Sequence, residues 1–125
     1  MKRQEFSIKK RLRSFCYAFS GFRTLLKEEH NAWIEAIATI CVVTAGFIFK
    51  ISVLEWIAAI FAIGLVFSME LLNSSIERIA DFVEPDKNDK IKIIKDLSAA
   101  GVFVAALTAF IIGLIIFVPK IAVLF

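Results

Sequence analysis

The sequence predicts an all-α integral membrane fold, an N-terminal amphipathic surface helix followed by three transmembrane helices, on three observations. First, 59% of the 125 residues are hydrophobic and 13 are Phe, with a mean hydropathy of +0.79. Soluble domains lie near about 45–50% apolar, and a chain this short builds no core large enough to hide the surplus. Second, residues 97–118 form an uncharged run of 22 residues, about 33 Å as a helix, which matches a bilayer core. Third, the basic residues are segregated. Eight Lys and Arg precede residue 32, Lys50 stands between the first two apolar segments, five lie in 77–96, and Lys120 follows the last. Three spans put 13 of these on one side and two on the other, as the positive-inside rule expects, with the N-terminus cytoplasmic. The net charge of +3, from 15 Lys and Arg against 12 Asp and Glu, is too small to point to nucleic acid.

The surface helix is expected over about 6–29. Ile8, Leu12, Phe15, Phe19, Phe22 and Leu26 recur at spacings of 4, 3, 4, 3 and 4, with Lys9, Lys10, Arg13, Ser20, Thr24 and Lys27 opposite them. Such a basic amphipathic helix is too charged to span and lies in the interface. The first span is expected over 32–49, with Glu35 near its start, and the second over 54–76, with Glu55 at its mouth and Glu70 inside. Their longest uncharged stretches, 36–49 and 56–69, are 14 residues each, so length alone does not separate them from buried soluble helices; the charge map does. The third span is 97–118, with Pro119 and Lys120 marking its exit. No repeat or linker divides the chain, and 1–125 reads as one membrane domain.

Cys16 and Cys41 have no CxxC spacing and read as free thiols. No short apolar stretch follows the basic N-terminus as a secretory signal would require. The glycines make no GxxxxGK loop, so a P-loop is excluded. One His, His30, and two distant Cys cannot assemble a zinc site.

A charge at the centre of a span disfavours insertion by roughly 2.5–3.5 kcal/mol, so Glu70 calls for a reason. Asn73 and Glu77 follow it at i+3 and i+7, on one helix face descending toward the cytoplasmic end, and Asp81 and Glu84 continue that face into the following loop. A carboxylate held away from bulk water suits a general base. One placed nearer water suits Mg²⁺, which takes oxygen ligands and keeps several waters. Base and metal would then meet where a lipid hydroxyl faces a soluble phosphate donor. Lys95-Asp96, at the entry of the third span, supplies a cation for phosphates, and Glu28 and Glu29 supply a further metal ligand or complement a helix N-terminus.

The run Glu70-Leu-Leu-Asn73-Ser-Ser-Ile-Glu77-Arg-Ile-Ala-Asp81 closely resembles the signature of the prokaryotic diacylglycerol kinase family, whose relatives include undecaprenol kinases. The resemblance extends through Ser14-Phe15, Tyr17-Ala18 and Gly21, through Glu29, and to Lys95-Asp96. It implies a homotrimeric helical bundle in the bacterial inner membrane, with composite sites between subunits and the active site cytoplasmic. It also implies an ATP- and Mg²⁺-dependent kinase acting on a membrane lipid, either undecaprenol or diacylglycerol. On that resemblance Glu70 is the base and Asn73 the site-orienting amide, while Glu29 and Glu77 are Mg²⁺ ligands. ATP contacts fall to Lys10, Tyr17, Glu29, Glu77, Asp81, Asp86, Lys87, Asn88, Lys95 and Asp96, and lipid contacts to Ser14, Arg23, Glu35, Glu70 and Ala99.

Lys10 stands where the family often has Arg and lacks its bidentate fork, for which Arg11 or Arg13 is the alternative. The Tyr-His pair common in relatives is absent from Asp86-Lys87-Asn88. Leu97-Ser98-Ala99-Ala100-Gly101 and the segment from Gly113 to Lys120 look more like the undecaprenol kinase branch. The rival reading is a small proton-coupled transporter using Glu70; a non-catalytic membrane interaction protein would leave the carboxylate row without a role. Glu77, Lys95 and Asp96 favour the kinase, because transport does not require them.

Overall fold

A computed structural model describes residues 7–125 as four helices: α1 (Ile8–Glu28), α2 (His30–Ile48), α3 (Val53–Val83) and α4 (Asp89–Leu124). Residue 6, where the surface helix is expected to begin, lies outside the described residues. Among those residues there is no strand, and α2, α3 and α4 are each long and apolar enough to cross a membrane.

The turns explain why the chain breaks where it does. Ser7 caps α1 by accepting the Lys10 N–H, which satisfies one of the orphan donors of a helix start. A single residue in extended conformation, Glu29 (φ −112°, ψ 113°), separates α1 from α2. Its N–H donates to the Leu25 carbonyl at 2.9 Å and Trp33 Nε1 donates to the Leu26 carbonyl at 2.6 Å, so the open end of α1 is closed by its successor. After α2, Ile51 N–H reaches the Gly46 carbonyl at 3.1 Å and Lys50 N–H the Phe47 carbonyl at 3.4 Å, with Lys50 left-handed at φ 50°. This is the Schellman arrangement, built on a residue other than the usual glycine. Ser52 then starts α3 through a capping box with Glu55, at 3.2 Å and 2.9 Å for the two bonds.

Gly46 is required at this turn by packing. A Cβ there would lie 2.6 Å and 2.9 Å from the ring of Trp56, which itself packs against Phe47 in a tilted pair with centroids 4.9 Å apart. Gly46→Ala is expected to destabilise the α2–α3 turn by about 1–3 kcal/mol, the usual cost of overpacking, measurable as a lower midpoint of thermal unfolding in detergent.

Helices α3 and α4, joined by the five-residue connection 84–88, form an antiparallel hairpin that carries the most extensive packing in the chain. At 31 and 36 residues they are about 46 Å and 54 Å long, well beyond a hydrocarbon core of about 30 Å. At the hairpin end α3 runs to Val83 and α4 begins at Asp89, both past the expected spans. One sequence expectation changes here. Asp81 is in the last turns of α3, which runs to Val83 before Glu84 caps it, so the carboxylate face continues as helix rather than loop. At its other end the α4 helix continues through Pro119 to Leu124, past the expected exit of the third span. A proline ring removes one N–H from the helix ladder. The next turn is tied down by Lys120, whose ammonium donates to Glu55 Oε2 at 2.5 Å and to the Ile116 carbonyl at 3.2 Å.

The buried apolar core is small. Ile51, Ala59 and Ile116 form its centre, against Val42, Phe49 and Trp56. Large apolar side chains such as Ile40, Phe61 and Phe110 stay about two-thirds exposed along the helices. Contiguous apolar surface of that extent is unfavourable in water and carries no such penalty against lipid, which explains how a fold with so little interior persists.

Candidate active site

The inward stripe of α3 is Ala59, Ala62, Val66, Glu70 and Ser74. Its spacing of three and four residues is that of a packing seam, so Glu70 is buried because it occupies a core position. Only 4% of the residue is exposed. Around it the carboxylates of Glu35 on α2, Glu29 at the α1–α2 elbow and Glu77 on α3 lie within electrostatic reach. Side chains expected from sequence to act together are thereby assembled from three parts of the chain.

The neighbouring positions hold this assembly. Ser74 Oγ donates to Glu29 Oε1 at 3.4 Å, so the elbow carboxylate turns toward α3 and makes no side-chain cap on α2. Asn73 Nδ2 donates to Glu77 Oε1, also at 3.4 Å, while Asn73 Oδ1 is buried without a partner. Consecutive residues of α3 therefore anchor two carboxylates, and an unsatisfied amide oxygen lies beside them. An orphaned buried acceptor is a loss unless something donates to it or is coordinated by it. Among the described residues no group of three or more His, Cys, Asp or Glu side chains is placed to enclose a metal ion. Mg²⁺ is commonly held by one or two carboxylates together with substrate phosphates, and Glu29, Glu77 and Asn73 Oδ1 are hard oxygen donors of that kind.

The second group sits farther along the hairpin. Asp81 is one turn beyond Glu77, about 6 Å along the axis. Its carboxylate accepts from Lys95 Nζ at 2.6 Å, and Asp96 accepts from Lys92 Nζ at 2.7 Å, a bond that raises the Lys92 ammonium pKa above its ordinary value. With Asp86, Lys87 and Asn88 these side chains line one groove between α3, the connection and α4. Lys95 exchanges a carboxylate for a phosphate if it binds one, a change of partner its three donors allow.

Below the carboxylates Glu35 lines an apolar pocket between the spans, with Thr39, Ala62, Val66, Ile112 and Phe117 among its walls. Arg23 borders a separate groove at the elbow with Phe19, Phe22 and Trp33. The remaining predicted residues stand apart. Lys10 and Tyr17 are exposed on α1, Ser14 donates its hydroxyl to the Lys10 carbonyl at 3.1 Å, and Ala99 is exposed on α4. Sequence reasoning missed the work of Ser74, although its place four residues after Glu70 was a usable signal. It also missed the ion pair between Arg78 and Glu28, for which no local pattern exists.

The family model for prokaryotic diacylglycerol kinase matches residues 16–117, a stretch that contains the elbow, the buried carboxylate and the hairpin groove. The chain belongs to the prokaryotic diacylglycerol kinase family. An undecaprenol kinase of Bacillus subtilis (strain 168) is 37% identical over 108 residues, 86% of this chain and 88% of its own. A diacylglycerol kinase of Synechocystis sp. is 29% identical over 107 residues, 85% of this chain and 61% of its own. Both relatives of this diacylglycerol kinase family member are named as lipid kinases, and neither supports a proton-coupled transporter.

Proposed function

We propose that this chain is an integral-membrane lipid kinase that transfers the γ-phosphoryl group of ATP to the hydroxyl of a membrane lipid at the cytoplasmic face. The observation that carries the reading is the buried Glu70 at the head of a carboxylate row that opens onto the charged hairpin groove. Glu70 takes the proton of the lipid hydroxyl as that oxygen bonds to the γ-phosphorus. The bond from the γ-phosphorus to the bridging oxygen breaks, and ADP leaves with that oxygen. Asn73 orients the reacting groups. Glu29 and Glu77 hold Mg²⁺, which neutralises phosphate charge when bound. Lys95 and Asp96, with Asp81, Asp86, Lys87, Asn88, Lys10 and Tyr17, contact the nucleotide. Ser14, Arg23, Glu35 and Ala99 take the lipid. Catalysis of this kind rests on positioning and charge neutralisation.

Helix α1 lies in the interface, and the 13 basic residues of the N-terminal segment and hairpin support a cytoplasmic position for that side of a bacterial inner membrane. The chains assemble as a homotrimer whose sites are shared between subunits, a reading that rests on the resemblance of the Glu70–Asp81 run to the diacylglycerol kinase signature. Between the two acceptors, undecaprenol is favoured by the Leu97-Ser98-Ala99-Ala100-Gly101 segment and by the 37% identity to an undecaprenol kinase. Purified protein given each lipid separately with ATP should phosphorylate undecaprenol with the higher kcat/KM. A higher value with diacylglycerol reverses the assignment of the acceptor while leaving the kinase in place.

A further inference from the structure

We propose that Arg78 is a positioning residue, whose ion pair with Glu28 holds α1 against α3 and keeps Glu29 beside Glu77 before any cation arrives. The proposal rests on the reading of Glu29 and Glu77 as metal ligands. Glu29 belongs to neither flanking helix, so its position depends on how α1 is docked. Contacts that hold α1 and the elbow onto α3 include Leu25, the most completely buried large side chain, the ring pair Phe22–Phe67 at 6.2 Å, the 3.4 Å Ser74–Glu29 bond, and Arg78–Glu28. Apolar contacts are non-directional, and a 3.4 Å bond is at the long limit for a hydrogen bond.

The ion pair differs from these in being tied to register. Glu28 precedes Glu29 and Arg78 follows Glu77, so joining 28 to 78 brings together the two chain segments that carry the proposed ligands. It also answers a charge problem. Glu28, Glu29, Glu35, Glu70 and Glu77 converge on this end of α3, and like charges in proximity would push the elbow open. Arg78 is a guanidinium already paired within that acidic group, and its fork geometry suits a carboxylate better than a lysine would.

The test uses the full chain in lipid nanodiscs, as wild type, Arg78→Met, Glu28→Gln and the swap Glu28→Arg with Arg78→Glu. Without divalent cation, amide exchange across residues 25–33 should quicken in both single variants and return toward wild type in the swap. Mn²⁺ affinity, read from free Mn²⁺ by electron paramagnetic resonance, should weaken by up to about five-fold, the ceiling for a half-exposed ion pair, and recover in the swap. In Arg78→Met the metal concentration for half-maximal turnover should rise in parallel, with kcat at saturating metal unchanged. Wild-type exchange in Arg78→Met overturns the proposal, as does faster exchange with undiminished Mn²⁺ affinity. Failure of the underlying reading is distinguishable, because then the wild type itself binds no Mn²⁺ and transfers no phosphate, which removes the metal role of the pair whatever the exchange data show.

Discussion

Replacing Glu70 with Gln should lower kcat for lipid phosphorylation by about 10²–10⁴-fold, the usual contribution of a positioned general base, while KM for ATP changes little. The substitution keeps the shape of the side chain and removes its ability to take a proton. Glu70 occupies a packing position between Val66 and Ser74, so the isosteric amide fills the same space, and loss of activity with an unchanged thermal midpoint isolates chemistry from folding. Glu70→Ala does not separate the two, because it empties a buried position and adds a cavity penalty. Near wild-type turnover in Glu70→Gln would remove the base from this position.

The second large effect is expected at Glu77. Glu77→Gln should lower turnover at limiting Mg²⁺ by about 10²–10³-fold, comparable to losing one preorganised electrostatic partner of a transition state, and excess Mg²⁺ should recover part of it. Glu29→Gln should behave alike, since Ser74 and Asn73 hold the two carboxylates from adjacent positions of α3. The contrast with Glu70→Gln is diagnostic: added metal rescues a ligand variant and not a base variant. A Glu77→Gln enzyme with an unaltered Mg²⁺ requirement would move the metal elsewhere.

What could be read from the sequence follows from the range of the interactions involved. The long apolar helix that contains 97–118 and the inward position of Glu70 are legible because hydropathy and helical period are local properties. The row Glu70, Asn73, Glu77 and Asp81 is legible for the same reason, since one helix face is set by spacing alone. Helix ends are less so. Pro119 is a stop signal only where nothing secures the next turn, and here Lys120 secures it through Glu55, a residue 65 positions earlier. Asp81 stays helical where α3 runs on to Val83 and is tied to α4 by the Lys95–Asp81 ion pair, which composition does not encode. The Ser74–Glu29 and Arg78–Glu28 contacts link residues 45 and 50 positions apart and become visible only once the elbow at Glu29 has folded α1 back onto α3.

The central claim is tested most directly by incubating the purified chain in lipid nanodiscs with γ-labelled ATP, Mg²⁺ and undecaprenol or diacylglycerol, then separating lipid from water-soluble label. The account predicts label in a lipid phosphate, dependent on Mg²⁺ and lost in Glu70→Gln. Label that stays in ATP, or appears only as inorganic phosphate with either lipid, contradicts it.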